Sequence, residues 1–496
     1  MKRILIIALW ALCACTNDKV QWVSSTFETP WQEMEIMADG AQPAGTVVID
    51  ESKTLQTVEG FGTCFNELGW RSLSLLSEAD RTSIIRDLFL DDGLGLTMGR
   101  MPVGANDFSI DYYSYADVPG DLALEHFSID HDRATLIPFI KAAQAVNPNL
   151  KVWASPWCPP QWMKVNGHYA NTSTLPIKHR FESMMKELSE RPDDVRATGG
   201  SSFGLNPAML EDNGLPEEKQ IREGQDAFRL EDAYLEAYAR YFGKFVDAYK
   251  SEGIDIKMVM PQNEPNSAQW YPACTWTPEG LAKFIAYLGP EMQKRNVPVW
   301  LGTIERADPQ MWDKIITDAE AGKWIKGLGF QWAGKDALPE LHRRHAEIPC
   351  YQTEQECGNG KNDWAGAVHA WDLMKHYFKS GVSGYFYWNT SLLEGGVSTW
   401  GWSQNSLVTV DEVTKTFKYT PEYYVLKHAS HFVEPGAKVL DLGGDWEDSL
   451  GFVNPDGRVV LLLGNQNEDE KAISIRVSGK SLAVNLPASS VNTIVL

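Results

Sequence analysis

Between residues 56 and 414 the sequence alternates short apolar runs with amphipathic helical patterns, and this alternation constrains the fold more than any other feature. Runs rich in β-branched and aromatic residues predict strands, and the longer periodic segments between them predict helices. Eight such units predict a parallel (β/α)8 barrel. The predicted strands are residues 58–65, 96–103, 150–157, 256–264, 297–303, 325–332, 348–354 and 383–389.

The segments on either side of the predicted barrel have a different pattern. Residues 415–496 contain short apolar runs separated by turn residues such as Pro455-Asp456-Gly457. This pattern predicts a small antiparallel β-sandwich domain attached to the barrel, and residues 20–55 are expected to contribute strands to it. The fold class is therefore α/β. One segment, residues 167–223, is long and polar; a large loop over the barrel mouth and a plain insertion both fit it.

The first 14 residues have the pattern of a signal peptide. Lys2 and Arg3 precede an apolar run that is too short to span a bilayer. Ala14 stands directly before Cys15, which resembles a bacterial lipoprotein signal in which Cys15 becomes the lipidated first residue. A plain secretory peptide is the alternative. Either pattern predicts export, and the lipoprotein pattern predicts a protein anchored to a membrane by its lipid, in the periplasm or at the cell surface.

Composition narrows the class of ligand. The chain has 45 Lys and Arg against 66 Asp and Glu, a net charge of −21, which argues against a nucleic-acid partner. Its 19 Trp are many, and several stand beside Asn, Asp or Gln. Because aromatic faces stack on sugar rings, this mixture indicates a carbohydrate ligand, with core packing as the alternative. The five cysteines after Cys15 show no paired spacing typical of a zinc site.

Two glutamates end predicted strands that are far apart in sequence. Glu264 closes strand four in PQNEP, and Glu354 follows the apolar run of strand seven in TEQECG. Strand ends meet at the carboxyl-terminal mouth of such a barrel. Two carboxyls facing each other there are what glycoside hydrolysis requires, one protonated and one ionised. A single glutamate at a strand end is more often a solvated rim residue, but two beside so many Trp favour an acid/base pair.

Several phrases taken together resemble one known family. They are EGFGTCFNE, GRMPVGANDFSIDYYSYAD, ASPWCPPQWMKVNG, MPQNEPNS, YQTEQECG, YFYWN with LEGG, and the ending VNTIVL. The chain resembles glycoside hydrolase family 30, the group with lysosomal glucosylceramidase and bacterial and fungal β-1,6-glucanases. The resemblance extends over about residues 45 to 496, and it implies a (β/α)8 barrel with a β-sandwich and no metal or organic cofactor.

The resemblance implies roles for the two glutamates. It makes Glu264 the general acid/base and Glu354 the nucleophile of a reaction that retains the β configuration. The strand register agrees, since Glu354 directly follows the apolar run, whereas Glu356 lies where the chain turns away. We expect Glu354 to keep a normal or lowered pKa and Glu264 to have a raised one, because a nearby carboxylate opposes ionisation.

Further residues are expected to bind the substrate. The resemblance implies that Asp107 accepts hydrogen bonds from hydroxyls of the sugar in the −1 subsite and that Arg100 steadies the nucleophile. Asn263 can donate to a hydroxyl, and Gln331 can do so at the end of strand six. The full set of expected substrate-binding residues is Arg100, Asp107, Trp157, Asn263, Gln331, Trp332 and Trp388.

The sequence departs from the family at strand six. Glucosylceramidase-like members have a His-Trp-Tyr run where this chain has Gln331-Trp332-Ala333, which argues against a ceramide aglycone. The favoured function is a β-glycosidase acting on β-glucosyl linkages such as β-1,6-glucan. A β-xylosidase or β-fucosidase of the same fold is an alternative, and a non-catalytic glycan-binding surface lipoprotein is one of a different class.

Overall fold

The computed structural model describes residues 20–35, 43–179, 204–205 and 210–496. Cys15 and the rest of the signal-like segment lie outside these ranges, so the lipid anchor stays a prediction. Much of the predicted insertion at 167–223 also lies outside them. Within the described ranges, no helix has both the length and the apolar content needed to cross a bilayer.

Eight parallel strands form a closed barrel, as predicted. Each strand pairs with the next along the chain, and the last pairs with the first. The strands are β1 (Gly60–Cys64), β2 (Met98–Pro102), β3 (Lys151–Ser155), β4 (Ile256–Val259), β5 (Val299–Ile304), β6 (Ile325–Gln331), β7 (Cys350–Glu354) and β8 (Val382–Asn389).

Helices connect the barrel strands, and their starts follow from local sequence. Asn66 and Ser77 accept hydrogen bonds from backbone amides of the helices that they precede, and Thr277 does so before Pro278. The helices of the barrel region are α1 (Glu67–Ser74), α2 (Glu78–Phe89), α3 (Leu136–Val146), α4 (Asp232–Ser251), α5 (Pro278–Gln293), α6 (Pro309–Ile316), α7 (Gly334–Arg344) and α8 (Trp364–Lys379).

One predicted strand end is wrong. Strand four was expected to reach Glu264, but β4 ends at Val259. Pro261 has no N–H to give to a neighbouring strand, and Glu264 has a φ of 47°, which is incompatible with an extended strand. Glu354 does end β7, as predicted. The two glutamates therefore reach the barrel mouth differently, one from a loop and one from a strand.

The sandwich consists of two sheets built from both ends of the chain. One sheet has the strand order Gln32–Glu33, Gln21–Ser25, Ser490–Val495, Val459–Asn465, Ser449–Val453, Lys438–Leu440 and Thr54–Thr57. The other has the order Gly443–Gly444, Gly45–Ile49, Lys471–Val477 and Lys480–Leu486. One described pairing, between Gly45–Ile49 and Lys471–Val477, is parallel and departs from the predicted antiparallel pattern.

The connection between barrel and sandwich contains a helix that the sequence analysis placed among short strands. Helix α9 (Pro421–Ser430) begins with a Thr420 cap and with proline at its first position, and it packs against α8. It follows small strands at Ser391–Leu393, Trp402–Ser403, Val408–Val410 and Phe417–Tyr419. Gly204–Leu205, from the long insertion, pairs with Trp402–Ser403 in the segment after β8.

Helix α9 also joins the two ends of the chain through one fully buried histidine. His428 contacts Thr493 Oγ1 through Nδ1 at 2.8 Å and Ser25 Oγ through Nε2 at 2.9 Å. Burial, together with the charges of Lys427 and His431, lowers the pKa of His428 to about 3. The folded protein therefore keeps this imidazole neutral where an unfolded chain would protonate it.

This histidine predicts that stability falls in weak acid. Below a pH of about 6.5, His428 binds a proton in the unfolded state but stays neutral in the folded state. The unfolding free energy should therefore decrease by about 2 kcal/mol between pH 7 and pH 5. Urea unfolding at both pH values measures the loss in the wild type, in His428→Gln and in a control at the exposed His126, His126→Gln. We expect His428→Gln to show a smaller loss; a loss equal to that of the wild type would contradict this origin.

Candidate active site

The predicted site residues converge at the carboxyl ends of the barrel strands. Gln331 is the last residue of β6 and Glu354 the last of β7, while Asn263 and Glu264 follow β4. Arg100 lies within β2. Parallel strands bring these ends to one mouth, so residues more than 250 positions apart are in direct contact there.

Arg100 is the central cation of the site and is fully buried. Its Nη1 donates to Glu354 Oε2 at 2.8 Å and to the backbone oxygen of Thr353 at 3.1 Å. Its Nη2 donates to Asn263 Oδ1 at 2.6 Å and to Ser155 Oγ at 3.0 Å. One guanidinium thus binds groups that follow or belong to β3, β4 and β7, and its fixed fork orients them.

Three tryptophans lie around this guanidinium, and the ring centroid of one of them, Trp153, is 5.2 Å from Arg100 Cζ. The Arg100 Cζ atom lies 4.5 Å from the ring centroid of Trp157 and 5.4 Å from that of Trp388, and the two indoles stack on each other. Trp157 is 2% exposed and Trp388 is fully buried. Both rings were expected to contact sugar, and that role stays a prediction. In the structure they pack on Arg100 and shield it from solvent, and Trp388 also contacts Phe108.

Glu354 receives three hydrogen bonds from side chains. Arg100 and Gln331 donate to its Oε2, the latter at 3.1 Å, and Trp332 Nε1 donates to its Oε1 at 3.1 Å. Trp332 has a φ of 46°, a left-handed conformation rare for a bulky residue, and it directly follows β6. Donors on both oxygens hold the Glu354 carboxylate in one orientation and stabilise its ionised form.

Gln331 connects the two glutamates. Its Nε2 lies 3.0 Å from Glu264 Oε1 and 3.1 Å from Glu354 Oε2, so these two oxygens are at most about 6.1 Å apart, the sum of the two distances. Its Oε1 accepts from Thr353 Oγ1 at 2.9 Å. The side chain is fully buried and both polar atoms are bound to protein, so the predicted hydrogen bond to a sugar hydroxyl has no free atom on Gln331.

The two carboxyls differ in their electrostatic surroundings. Burial, then the charge of Glu354, raises the pKa of Glu264 to about 7. Burial also raises the pKa of Glu354, although Arg100, Trp332 and Gln331 oppose the rise. The expectation of a normal or lowered pKa for Glu354 is therefore wrong, because Arg100 does not cancel the cost of removing this carboxylate from water. Glu354 has the stronger donors and is the better placed of the two to remain ionised.

Asp107 adds a third carboxyl to the site. It is 5% exposed, and its Oδ1 has no hydrogen-bond partner among the described residues. Burial, followed by the charges of Glu354 and Glu264, raises the pKa of Asp107 well above its usual range. A buried polar atom without a partner is costly, and a ligand that supplies a donor removes the cost. Asp107 therefore has a free acceptor atom, and its role in binding sugar stays a prediction.

Asn263 has its two polar atoms divided between protein and pocket. Its Oδ1 accepts from Arg100 Nη2 and from Thr303 Oγ1, the latter at 3.0 Å. Within the described ranges its Nδ2 makes no hydrogen bond, and the side chain stands next to Glu264. The amide nitrogen is therefore available to donate to a ligand hydroxyl, and sugar binding by Asn263 stays a prediction.

Glu356, the other glutamate of TEQECG, is bound elsewhere. Its Oε1 pairs with Lys335 Nζ at 2.7 Å and its Oε2 with His369 Nε2 at 2.9 Å. Burial alone raises the pKa of Glu356, but these two partners outweigh it and lower the pKa below the ordinary value. Glu356 therefore has the contacts of a structural ion pair, and Glu354 is the glutamate that meets Glu264.

Two residues near the site, Thr303 and Glu305, had no signal in the sequence, whereas the aromatic stretch 270–276 was expected to form either a positive subsite or loop packing. The charges of Glu264, Asp107 and Glu354 all act on the buried Tyr271, which lies in the aromatic stretch after β4. Thr303 bonds the residues at the acid/base position, and Glu305 is a further buried carboxyl. Their only signal is position, since Thr303 and Glu305 are at the end of β5 and thus at the same mouth.

The chain is similar over most of its length to several known proteins. The chain is 25% identical over 476 residues to mouse lysosomal acid glucosylceramidase, covering 89% of this chain and 82% of the relative. It is 24% identical over 510 residues to the endo-1,6-β-D-glucanase neg1 of Aspergillus fumigatus, covering 97% and 93%. Its fold resembles the crystal structure of SrfJ from Salmonella typhimurium, with a TM-score of 0.79, 22% identity and coverage of 96% and 99%.

Sequence models of two protein domains match the chain. The glycosyl hydrolase family 30 TIM-barrel domain matches residues 58–180 and 206–433, and the family 30 β-sandwich domain matches residues 441–494. The first match ends just after α9, and the second begins at residue 441. Because the two matches together span most of the chain, the protein belongs to glycoside hydrolase family 30 and is a glycoside hydrolase.

Proposed function

We propose that this enzyme is a retaining β-glycosidase that acts on β-glucosyl linkages, with Glu354 as nucleophile and Glu264 as acid/base. The observation that carries the proposal is the Gln331 amide nitrogen bonded to both carboxylates, which limits their nearest oxygens to about 6.1 Å. Carboxyls about 5–5.5 Å apart are typical of retention, whereas inversion needs about 6.5–9.5 Å to admit a water between them.

The first chemical step breaks the glycosidic bond. A carboxylate oxygen of Glu354 attacks the anomeric carbon while protonated Glu264 donates its proton to the departing oxygen. The product is a glycosyl ester on Glu354 and a free aglycone. A pKa of about 7 keeps a large fraction of Glu264 protonated near neutral pH, as this step requires.

The second step releases the sugar. Once Glu354 is an ester, its negative charge no longer opposes ionisation of Glu264, so the pKa of Glu264 falls and the residue acts as a base. Glu264 removes a proton from water, the water oxygen bonds to the anomeric carbon, and the ester bond to Glu354 breaks. Two inversions give overall retention, and both residues return to their starting protonation states.

The contacts available to the sugar support the same assignment. Asn263 Nδ2 is free to donate to a hydroxyl, and Asp107 Oδ1 is free to accept from one. A donor and an acceptor beside the two glutamates hold the ring for in-line attack, a gain in orientation that enzymes use widely. Among the described residues, neither Asn263 Nδ2 nor Asp107 Oδ1 makes a hydrogen bond that stabilises the fold.

For the substrate we favour a β-glucan, with β-1,6-linked glucan first. The support is the near full-length similarity to an endo-1,6-β-D-glucanase, together with Ala333 after Trp332, where glucosylceramidase-like members have an aromatic residue. The same carboxylate pair serves other equatorial glycosides, so the test includes xylosides and fucosides as well as glucosides.

Product analysis tests the proposal. The purified enzyme is incubated with aryl β-glucosides, β-xylosides and β-fucosides and with β-1,6- and β-1,3-linked glucans, and proton NMR follows the first anomer released. We expect turnover of β-glucosyl substrates with the β-anomer appearing first. First release of the α-anomer would overturn retention, and turnover confined to xylosides or fucosides would overturn the sugar. An unreacted panel with saturable glycan binding would instead support a binding protein.

Substitution of the two glutamates in TEQECG distinguishes their roles. We expect Glu354→Ala to reduce kcat by roughly 10⁴-fold or more, because no other group in the site replaces the nucleophile. Glu356→Gln, the matched control in the same segment, should keep kcat within about threefold, since it loses only a peripheral ion pair. Steady-state kinetics on the best substrate measures both. Equal inactivation of the two variants would contradict the nucleophile assignment.

The pKa of Glu264 predicts the alkaline side of the activity profile. The acid form of Glu264 is required and is lost as pH rises, so kcat/KM should fall with a midpoint near pH 7. At low pH activity falls as Glu354 becomes protonated. In Glu264→Gln the alkaline fall should disappear, and the remaining activity on a substrate with a good leaving group should be flat above pH 7. An unchanged alkaline midpoint in that variant would assign the fall to another group.

A further inference from the structure

The end of β5 is bound to the backbone that carries Glu264. Thr303 Oγ1 accepts a hydrogen bond from the Glu264 amide at 3.0 Å and donates to Asn263 Oδ1 at 3.0 Å. Thr303 is fully buried, so water does not compete for either hydrogen bond. One hydroxyl group thus binds two consecutive residues of the PQNEP segment, Asn263 as a donor and Glu264 as an acceptor.

The next residues along the chain bind the other side of the same turn. Glu305 Oε1 accepts from the Asn266 amide at 2.8 Å, and Arg306 Nη2 donates to the Asn266 backbone oxygen at 2.9 Å. The peptide groups on both sides of Glu264-Pro265 are therefore bound by residues 303–306. Glu305 is 1% exposed, and its Oε2 has no hydrogen-bond partner among the described residues.

The backbone of Glu264 requires such support. Its φ of 47° places a residue with a long side chain in the left-handed region. The following Pro265 further favours an extended conformation at this position rather than the observed one. Such a conformation persists only where the surroundings impose it, and it directs the Glu264 side chain toward Gln331.

The protonation of Glu305 is compatible with this role. The described charged groups that act on it are Glu264 and Arg306. Burial, then the charge of Glu264, raises the pKa of Glu305 to about 8. At neutral pH the Glu305 carboxyl is therefore mostly uncharged: it accepts from the Asn266 amide without placing another full negative charge beside the proton donor.

We propose that Thr303 and Glu305 are positioning residues for Glu264, which hold its left-handed backbone so that its carboxyl faces the leaving group. The inference rests on the proposed function, because it needs Glu264 to be the proton donor. Neither residue touches the reacting atoms. Asn263 Oδ1 keeps its hydrogen bond from Arg100 when the Thr303 hydroxyl is removed. We therefore expect the main effect on proton donation, which depends on how much the departing oxygen needs a proton.

Leaving-group dependence provides a measurement that a general loss of structure would not reproduce. Dinitrophenolate departs without protonation, whereas an alkoxide or simple phenolate needs an acid. For Thr303→Val we expect kcat/KM to fall about 10- to 100-fold on a simple phenyl glycoside and less than about threefold on the dinitrophenyl glycoside of the same sugar. Thr303→Ser, which restores the hydroxyl, should recover most of the lost rate.

A matched control lies on the nucleophile side. Thr353 is also a fully buried threonine at a strand end, and its hydroxyl donates to Gln331 Oε1 and to the Phe330 backbone oxygen. Thr353→Val loosens Gln331, which donates to Glu354 as well as to Glu264. It should therefore lower kcat/KM clearly on the dinitrophenyl glycoside too, because attack by Glu354 is needed whichever group leaves. The ratio of the two losses thus separates the acid/base side from the nucleophile side.

Glu305 is tested by a second pair of variants. Glu305→Gln keeps an acceptor for the Asn266 amide and should retain activity on both glycosides within about threefold at pH 6. Glu305→Ala removes the acceptor and should show the same selective loss on the phenyl glycoside as Thr303→Val. If Thr303→Val fails to fold, the two Glu305 variants still test the proposal. A selective loss in Glu305→Ala with recovery in Glu305→Gln supports it, and equal losses on both glycosides in Glu305→Ala contradict it.

Glu264→Ala distinguishes failure of this inference from failure of the proposed function. Suppose that Glu264→Ala loses activity selectively on the phenyl glycoside, whereas the Thr303 and Glu305 variants lose activity on both glycosides equally or on neither. The positioning role is then wrong, and the proposed function stands. If Glu264→Ala itself shows no selectivity, Glu264 is not the proton donor, and both the acid/base assignment and this inference are overturned.

Discussion

The buried ion pair between Arg100 and Glu354 is the interaction on which the site depends. Taking both groups out of water is costly, and one ion pair alone seldom repays the cost. Here the guanidinium also binds the Thr353 carbonyl, Asn263 and Ser155, and it lies against three indole rings. The strands that close the barrel supply these partners, so correct closure and assembly of the site are the same event.

The same network explains why two glutamates in one mouth behave differently. Glu354 receives donors on both oxygens, including the only full positive charge in direct contact with either carboxyl in the described structure. Glu264 receives one donor from Gln331 and stands in a left-handed turn. The chain thus creates an ionised and a protonatable carboxyl from one residue type through unequal hydrogen bonding, with Gln331 fixing the distance between them.

The parts of this structure that sequence could predict are those set by local periodicity. Apolar runs marked all eight barrel strands, and the run before Glu354 ended at the right residue. The end of β4 was predicted too late, at Glu264. PQNEP directly follows an apolar run and was included in the strand, but Pro261 stops the pairing and β4 ends at Val259. The partners of Gln331, and the support that Thr303 and Glu305 give to Glu264, join different strands at the mouth. No spacing along the chain encodes them, because they exist only after the barrel has closed.

The sandwich has a consequence for the order in which the molecule is completed. Its strand at Gln21–Ser25 pairs along its whole length with Ser490–Val495, and Trp22 Nε1 donates to Asn492 Oδ1 at 3.1 Å. A ribosome delivers the first of these strands long before the second. The early strand must wait, with its apolar side chains uncovered, until nearly the entire barrel has been made. During synthesis the strand Gln21–Ser25 therefore stays without this partner until Ser490–Val495 has been made.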